Sequence, residues 1–175
     1  MSQHPSFRCA PVLESLGIPP ETIAARGLCE FEEAAELELA EVAEDGREWL
    51  LVPPAAASWR AMKDAAARDG VSIFLASAFR SVERQAQIVR RKLDQGQSID
   101  EILSVLAPPG FSEHHTGRAV DIATPGCPPV EIEFEDTEAF RWLSGNAQAF
   151  GFRLSFPRGN PYGYQYEPWH WCHGG

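Results

Sequence analysis

Six consecutive residues, Val71-Ser72-Ile73-Phe74-Leu75-Ala76, most constrain what this chain can fold into. The run is apolar, rich in strand formers and too short for a helix of ordinary length, so it reads as a buried strand that other elements must cover. Its neighbours supply that cover. Trp59, Met62, Ala65 and Ala66 recur at helical spacing and Gly70 stops them, which predicts a helix ahead of the strand. A second helix is expected from about Val82 to Leu93, closed by Gly96. Ser98-Ile99-Asp100-Glu101 has capping-box spacing ahead of Ile102, Leu103 and Leu106, and Ala107-Pro108-Pro109-Gly110 breaks the chain again. Further along, Arg118 to Ala123 alternates as a short strand, Thr137 to Phe150 reads as a helix, and Phe152 to Phe156 and Tyr164 to Trp171 read as strands. Upstream, Asp45-Gly46 lies between Leu37, Leu39 and the run Trp49 to Val52, a local hairpin signal closed by Pro53-Pro54. Helices and strands mix without a β-α-β rhythm. The expected class is therefore α+β: a small, mostly antiparallel sheet flanked by helices in a single domain.

The chain has 175 residues, the usual size of one domain, and no repeat or linker divides it. Its net charge of −10 argues against general nucleic-acid binding, which needs cations to displace condensed counterions. Nine acids and one base fall between Glu30 and Glu48, a run expected to be a solvated face or a strand edge blunted by charge. No apolar run approaches the ~20 residues of a membrane span. Met1 to Pro5 lacks the basic start and apolar stretch of a secretory signal, so a cytoplasmic location is expected. Cys9, Cys29, Cys127 and Cys172 are scattered without a C-x-x-C pair and are expected to be reduced thiols.

Three segments concentrate groups that a packed core does not need: Ser112-Glu113-His114-His115-Thr116-Gly117-Arg118-Ala119-Val120-Asp121, then Glu167-Pro168-Trp169-His170-Trp171, and Arg80 just beyond the buried strand. Catalytic zinc sites commonly hold three protein ligands and keep a fourth position open. His114, Asp121 and His170 could supply two imidazoles and a carboxylate, and Glu167, three residues before a ligand, is a candidate base. Spacing alone is only suggestive, since His-x6-Asp and Glu-x-x-His both recur by chance. His115 competes with His114 on spacing, and His170, Cys172 and His173 could form a local cluster. His4 is uninformative.

The combined pattern carries more. Ser-Glu-His-His-Thr-Gly-Arg-Ala-Val-Asp followed by Glu-Pro-Trp-His-Trp resembles the signature of the zinc D-alanyl-D-alanine carboxypeptidases, the family of the vancomycin-resistance D,D-carboxypeptidases and D,D-dipeptidases. Ser77-Ala78-Phe79-Arg80-Ser81 with Gln85 resembles a third motif of that family, in the same order along the chain. The resemblance implies one zinc ion held by His114, Asp121 and His170 in a cleft on the sheet. It implies Glu167 as general base, Arg80 as the cation facing the scissile carbonyl, and Ser112 and Gln85 as substrate-binding residues. Trp169, a large aromatic beside His170, reads apart from the resemblance as core or as a pocket wall able to pack on an alanine methyl of the substrate. The substrate implied is a peptidoglycan-type peptide ending in D-alanine. L,D-carboxypeptidase and D-Ala-D-Ala dipeptidase activities remain open, as does a non-catalytic zinc-containing binding domain on the same scaffold. Phe79 stands where the family often has Tyr. The resemblance leaves residues 1–33 without a role and makes 34–175 the carboxypeptidase domain.

Overall fold

The computed structural model describes residues 7–174; His4 and the Met1 to Pro5 segment discussed above lie outside them. Two short helices, α1 (Ala10–Ser15) and α2 (Pro20–Ala25), lead into a hairpin of β1 (Glu38–Val42) and β2 (Glu48–Leu51). The hairpin closes through Asp45-Gly46 as the sequence predicts, with Gly46 at φ 82°. Pro53 does more than end β2. It opens α3 (Pro53–Arg68), where its missing N–H costs nothing and its fixed φ suits the first turn.

Next come β3 (Phe74–Ser77), α4 (Val82–Asp94), α5 (Ile99–Val105), β4 (Ala119–Ala123), α6 (Glu138–Asn146), β5 (Phe152–Leu154) and β6 (His170–His173). β3, β4, β6 and β5 form one antiparallel sheet in that order. The α+β class and antiparallel sheet match expectation, and no helix among the described residues is long and apolar enough to cross a membrane.

Several details differ from the sequence reading: β5 ends at Leu154 rather than Phe156, and α6 stops at Asn146, with a 3-10 turn over Ala147–Phe150 in place of its expected last turn. Val71 and Ile73 are buried, but the ladder with β4 begins only at Phe74, so the first half of the apolar run packs without pairing. β4 does not alternate in burial, because all five of its residues are buried. An inner strand covered on both faces gives no period-2 signal. The expected strand from Tyr164 to Trp171 is the largest correction: only His170 onward pairs, and 164–169 is irregular chain along the cleft. Pro168 cannot donate to a ladder, and the preceding backbone is anchored elsewhere, Gln165 N–H on Ser104 O and Glu167 N–H on Phe156 O.

Two apolar clusters hold the molecule. The larger joins the hairpin, α3, the sheet and α6 around Trp59, Met62, Leu75, Val120, Ile122, Phe152 and Trp171. The smaller packs Leu13, Leu16, Ile18 and Ile23 of the N-terminal arm against Val89, Ile102 and Leu103 of α4 and α5. The acidic run is only partly a solvated face. Glu38, Glu44 and Glu48 are not buried, but Glu33 accepts the N–H of Val82 at the start of α4. Glu41 accepts from the Trp59 indole at 2.9 Å and from Leu75 N–H at 3.2 Å.

The capping box is present: Ser98 accepts from Glu101 N–H at 3.3 Å, and the Glu101 carboxylate accepts from Ser98 N–H at 2.8 Å. Ser98→Ala is expected to lower stability by about 1 kcal/mol, read as a lower midpoint in a urea melt with an unchanged slope.

Candidate metal centre and active site

Strand register brings the chemistry together. Asp121 on β4 stands opposite His170 on β6 and, through the other edge of β4, opposite Ser77 on β3. His114 lies in a 3-10 turn over Glu113–Thr116 that feeds β4. Gly117 ends that turn at φ 65°, and a Cβ there would meet Leu37, Ala34 and Val52 at 3.0 to 3.1 Å. Glycine is therefore required both by the left-handed backbone and by the close approach of the hairpin.

His114 Nε2 lies 3.3 Å from Asp121 Oδ2, and His170 Nδ1 lies 3.0 Å from Asp121 Oδ1. The ligand atoms of His114, Asp121 and His170 all fall within 4.8 Å of one another, and all three residues are buried. The outward nitrogens are occupied. His114 Nδ1 donates to Ala78 O at 2.7 Å, leaving Nε2 with a lone pair facing Asp121. His170 Nε2 lies 3.0 Å from Glu113 Oε2. Two imidazole nitrogens and a carboxylate are a donor set suited to a divalent transition metal.

His115 is ruled out as a competitor by its own bonds, since Nδ1 donates to Arg80 O at 2.6 Å and Nε2 accepts from Gly110 N–H at 3.1 Å. The local cluster of His170, Cys172 and His173 does not form either: His173 turns to Ser58, 3.0 Å away. All four cysteines are free.

Around this centre opens a cavity of about 680 Å³, lined among others by Arg80, Gln85, Ser112, Glu167 and Trp169. Glu167 Oε2 lies 3.8 Å from His170 Nδ1. Burial, reinforced by Asp121 and opposed by His170 and Arg80, pushes the Glu167 carboxyl up to about 7. Burial also works against an ionised Asp121, but the charge and N–H donation that His114 and His170 offer when protonated outweigh it and hold that carboxyl well below its usual range. Burial draws the Arg80 guanidinium below its ordinary value, with Asp121 pulling the other way.

Arg80 is fixed by two hydrogen bonds, to Gln85 Oε1 and Ser77 Oγ, each at 2.9 Å, and its Nη2 lies 4.0 Å from Asp121 Oδ2. Gln85 is fully buried on α4, and its amide nitrogen donates to Ala107 O at 2.6 Å. Its polar atoms are thus committed to the cleft's frame. Ser112 Oγ accepts from His114 N–H at 3.3 Å. All eight residues singled out in the sequence line the cavity; Glu113, beside His170, lines it too, although nothing in its motif assigns it a role.

A family model, VanY: D-alanyl-D-alanine carboxypeptidase, matches residues 49–175. The chain belongs to this family. It is accordingly an enzyme of the zinc carboxypeptidase type, as the three motifs suggest. A D-alanyl-D-alanine carboxypeptidase of Enterococcus faecalis is 29% identical over 205 residues, covering 94% of this chain and 75% of the relative. Among solved structures, the LdcB LD-carboxypeptidase superposes with a TM-score of 0.72 at 29% identity, over 81% of this chain and 69% of that one. A point mutant of the vancomycin-resistance D,D-pentapeptidase VanY, solved in complex with Zn(II), superposes with a TM-score of 0.63 at 28% identity, over 86% of this chain and 88% of that one.

Proposed function

We propose that this carboxypeptidase removes the terminal D-alanine from peptidoglycan-type stem peptides, with one zinc ion per chain held by His114 Nε2, a carboxylate oxygen of Asp121 and His170 Nδ1. The observation that carries the reading is the convergence of these three donors, Glu167 and a buried Arg80 on one cavity. The fit to zinc rests on the donor set, its burial, and the bonds that leave His114 Nε2 and His170 Nδ1 facing Asp121. When bound, zinc supplies Lewis acidity, which makes water nucleophilic near neutral pH and favours negative charge on a carbonyl oxygen.

The chain's own residues do the rest. Glu167 takes the proton of the attacking water and returns a proton to the leaving amine as the amide C–N bond breaks. Arg80, locked by Gln85 and Ser77, presents a preorganised cation to the oxygen on which negative charge develops. Trp169 and Phe156 wall the cleft, where an aromatic face suits an alanine methyl. Ser112 sits beside the peptide path, and Gln85 serves the substrate through the Arg80 it holds. The catalytic unit is residues 34–175, with the N-terminal arm bracing α4 and α5.

The cleft runs past the three donors to Val105, Leu106, Val130 and Ile132, a length of wall that favours a stem peptide over a free dipeptide. The likeness to LdcB favours a second reading, cleavage of an L,D bond in a tetrapeptide. A binding domain without turnover is disfavoured, because it would need neither Glu167 nor Arg80 in the cleft. A panel of dipeptide, D,D-pentapeptide and L,D-tetrapeptide separates these readings. Fastest D-alanine release is expected from the pentapeptide, abolished by a strong chelator and restored by zinc. Preference for the tetrapeptide would select the L,D reading, and release undiminished by the chelator would reject the metal mechanism.

A further inference from the structure

The turn that delivers His114 also delivers a carboxylate to the other imidazole. Glu113 precedes His114 in the chain, yet its side chain crosses to β6 and places Oε2 3.0 Å from His170 Nε2. Its second oxygen, Oε1, lies 3.7 Å from Arg153 Nη2 on β5, and the Glu113 side chain is only 15% exposed. His170 is thus gripped at one edge by Glu113, at the opposite edge by Asp121, and on its face by Phe156, whose ring centre is 4.7 Å away. A neutral imidazole carries one N–H and one lone pair, and the partner of one nitrogen decides which is which. When His170 is neutral, as metal binding requires, a carboxylate accepting from Nε2–H would leave the lone pair on Nδ1, the nitrogen that lies 3.0 Å from Asp121 Oδ1.

We propose that Glu113 is a positioning residue of the metal centre, fixing the tautomer and ring orientation of His170 so that Nδ1 binds zinc. This rests on the zinc reading above and extends it to a residue outside the ligand set. Glu113 does not touch the reacting atoms. It acts through His170, and a carboxylate partner also raises the basicity of the ligand it holds. Arg153 stands on the solvent side of the carboxylate, its charge favouring the ionised form that accepts from Nε2–H.

The test uses the full chain, with zinc affinity measured by competition against a chromophoric chelator and ligand geometry read from the visible spectrum of the cobalt(II)-substituted protein. Glu113→Ala is expected to bind zinc roughly 10–100-fold more weakly than wild type and to shift the cobalt bands. Glu113→Gln, which keeps an acceptor oxygen without the charge, should recover part of the affinity. A purely packing role for Glu113 would lower the melting temperature of the metal-free protein but leave affinity and cobalt spectrum unmoved. Should the alanine variant fail to fold by circular dichroism, Glu113→Leu, similar in size and without an acceptor, decides: weaker zinc binding and shifted cobalt bands support the proposal. Wild-type zinc affinity and cobalt spectrum in the folded variant that lacks an acceptor would overturn it while leaving the zinc reading intact. Absence of zinc binding by the wild-type protein would overturn both.

Discussion

Glu167→Gln is expected to yield a folded protein that keeps its zinc and releases D-alanine roughly 10²–10⁴-fold more slowly. The magnitude follows from asking one carboxylate to do two jobs, taking a proton from water and handing one to the amine. An amide of the same shape can do neither. The fold should tolerate the change, since the Glu167 backbone is held independently of its side chain, by N–H donation to Phe156 O at 3.1 Å and by Pro168 behind it. The carboxylate lies 3.8 Å from His170 Nδ1, beside the three donors and outside their set, so metal content should match that of the wild type. Loss should fall on kcat with little change in KM, because proton transfer belongs to the transition state while the cavity walls that bind the peptide remain. Steady-state D-alanine release and zinc content on the same sample check this, and a variant retaining wild-type kcat would remove Glu167 from the mechanism.

What the sequence disclosed was set by how local each signal is. The Asp45-Gly46 hairpin, the Ser98 box and the α4 boundaries depend on a few adjacent residues, and they form as read. The convergence of His114, Asp121 and His170 is non-local, yet it was legible because three motifs stand in the order of one family's signature. What stayed hidden depends on register and burial. Nothing in the order Ser-Glu-His says that Glu113 will reach β6, because that contact exists only once Asp121 and His170 pair across the sheet. Gln85 lies on a helix of mixed polarity, where no local pattern announces burial; its burial follows from α4 packing over Arg80. The stretch 164–169 has strand-forming composition but spends its backbone donors on Ser104 and Phe156. In this way Glu167 reaches the cleft from a segment held outside the ladder.

Asp121→Asn is expected to lose zinc and, with it, both D-alanine release and the stabilisation that zinc confers. Both carboxylate oxygens are engaged, Oδ1 with His170 at 3.0 Å and Oδ2 with His114 at 3.3 Å, and the residue sits on a strand buried throughout. Asparagine keeps the shape and removes the negative charge that offsets a divalent cation, so the remaining donors are two nitrogens and a neutral amide oxygen beside the Arg80 cation, whose Nη2 lies 4.0 Å from Asp121 Oδ2. Zinc at 100 times its Kd should add about 2.7 kcal/mol to the wild-type fold. For a chain of this size that is a rise of roughly 5–10 °C in Tm. The variant should show no such rise at the same zinc concentration, while its chelated form melts as a single cooperative transition. Melting curves with and without zinc, recorded for both proteins, make the comparison. A full zinc-dependent rise in Asp121→Asn would mean that the ion binds elsewhere, and that the pairing of β4 with β6 does not build the metal centre.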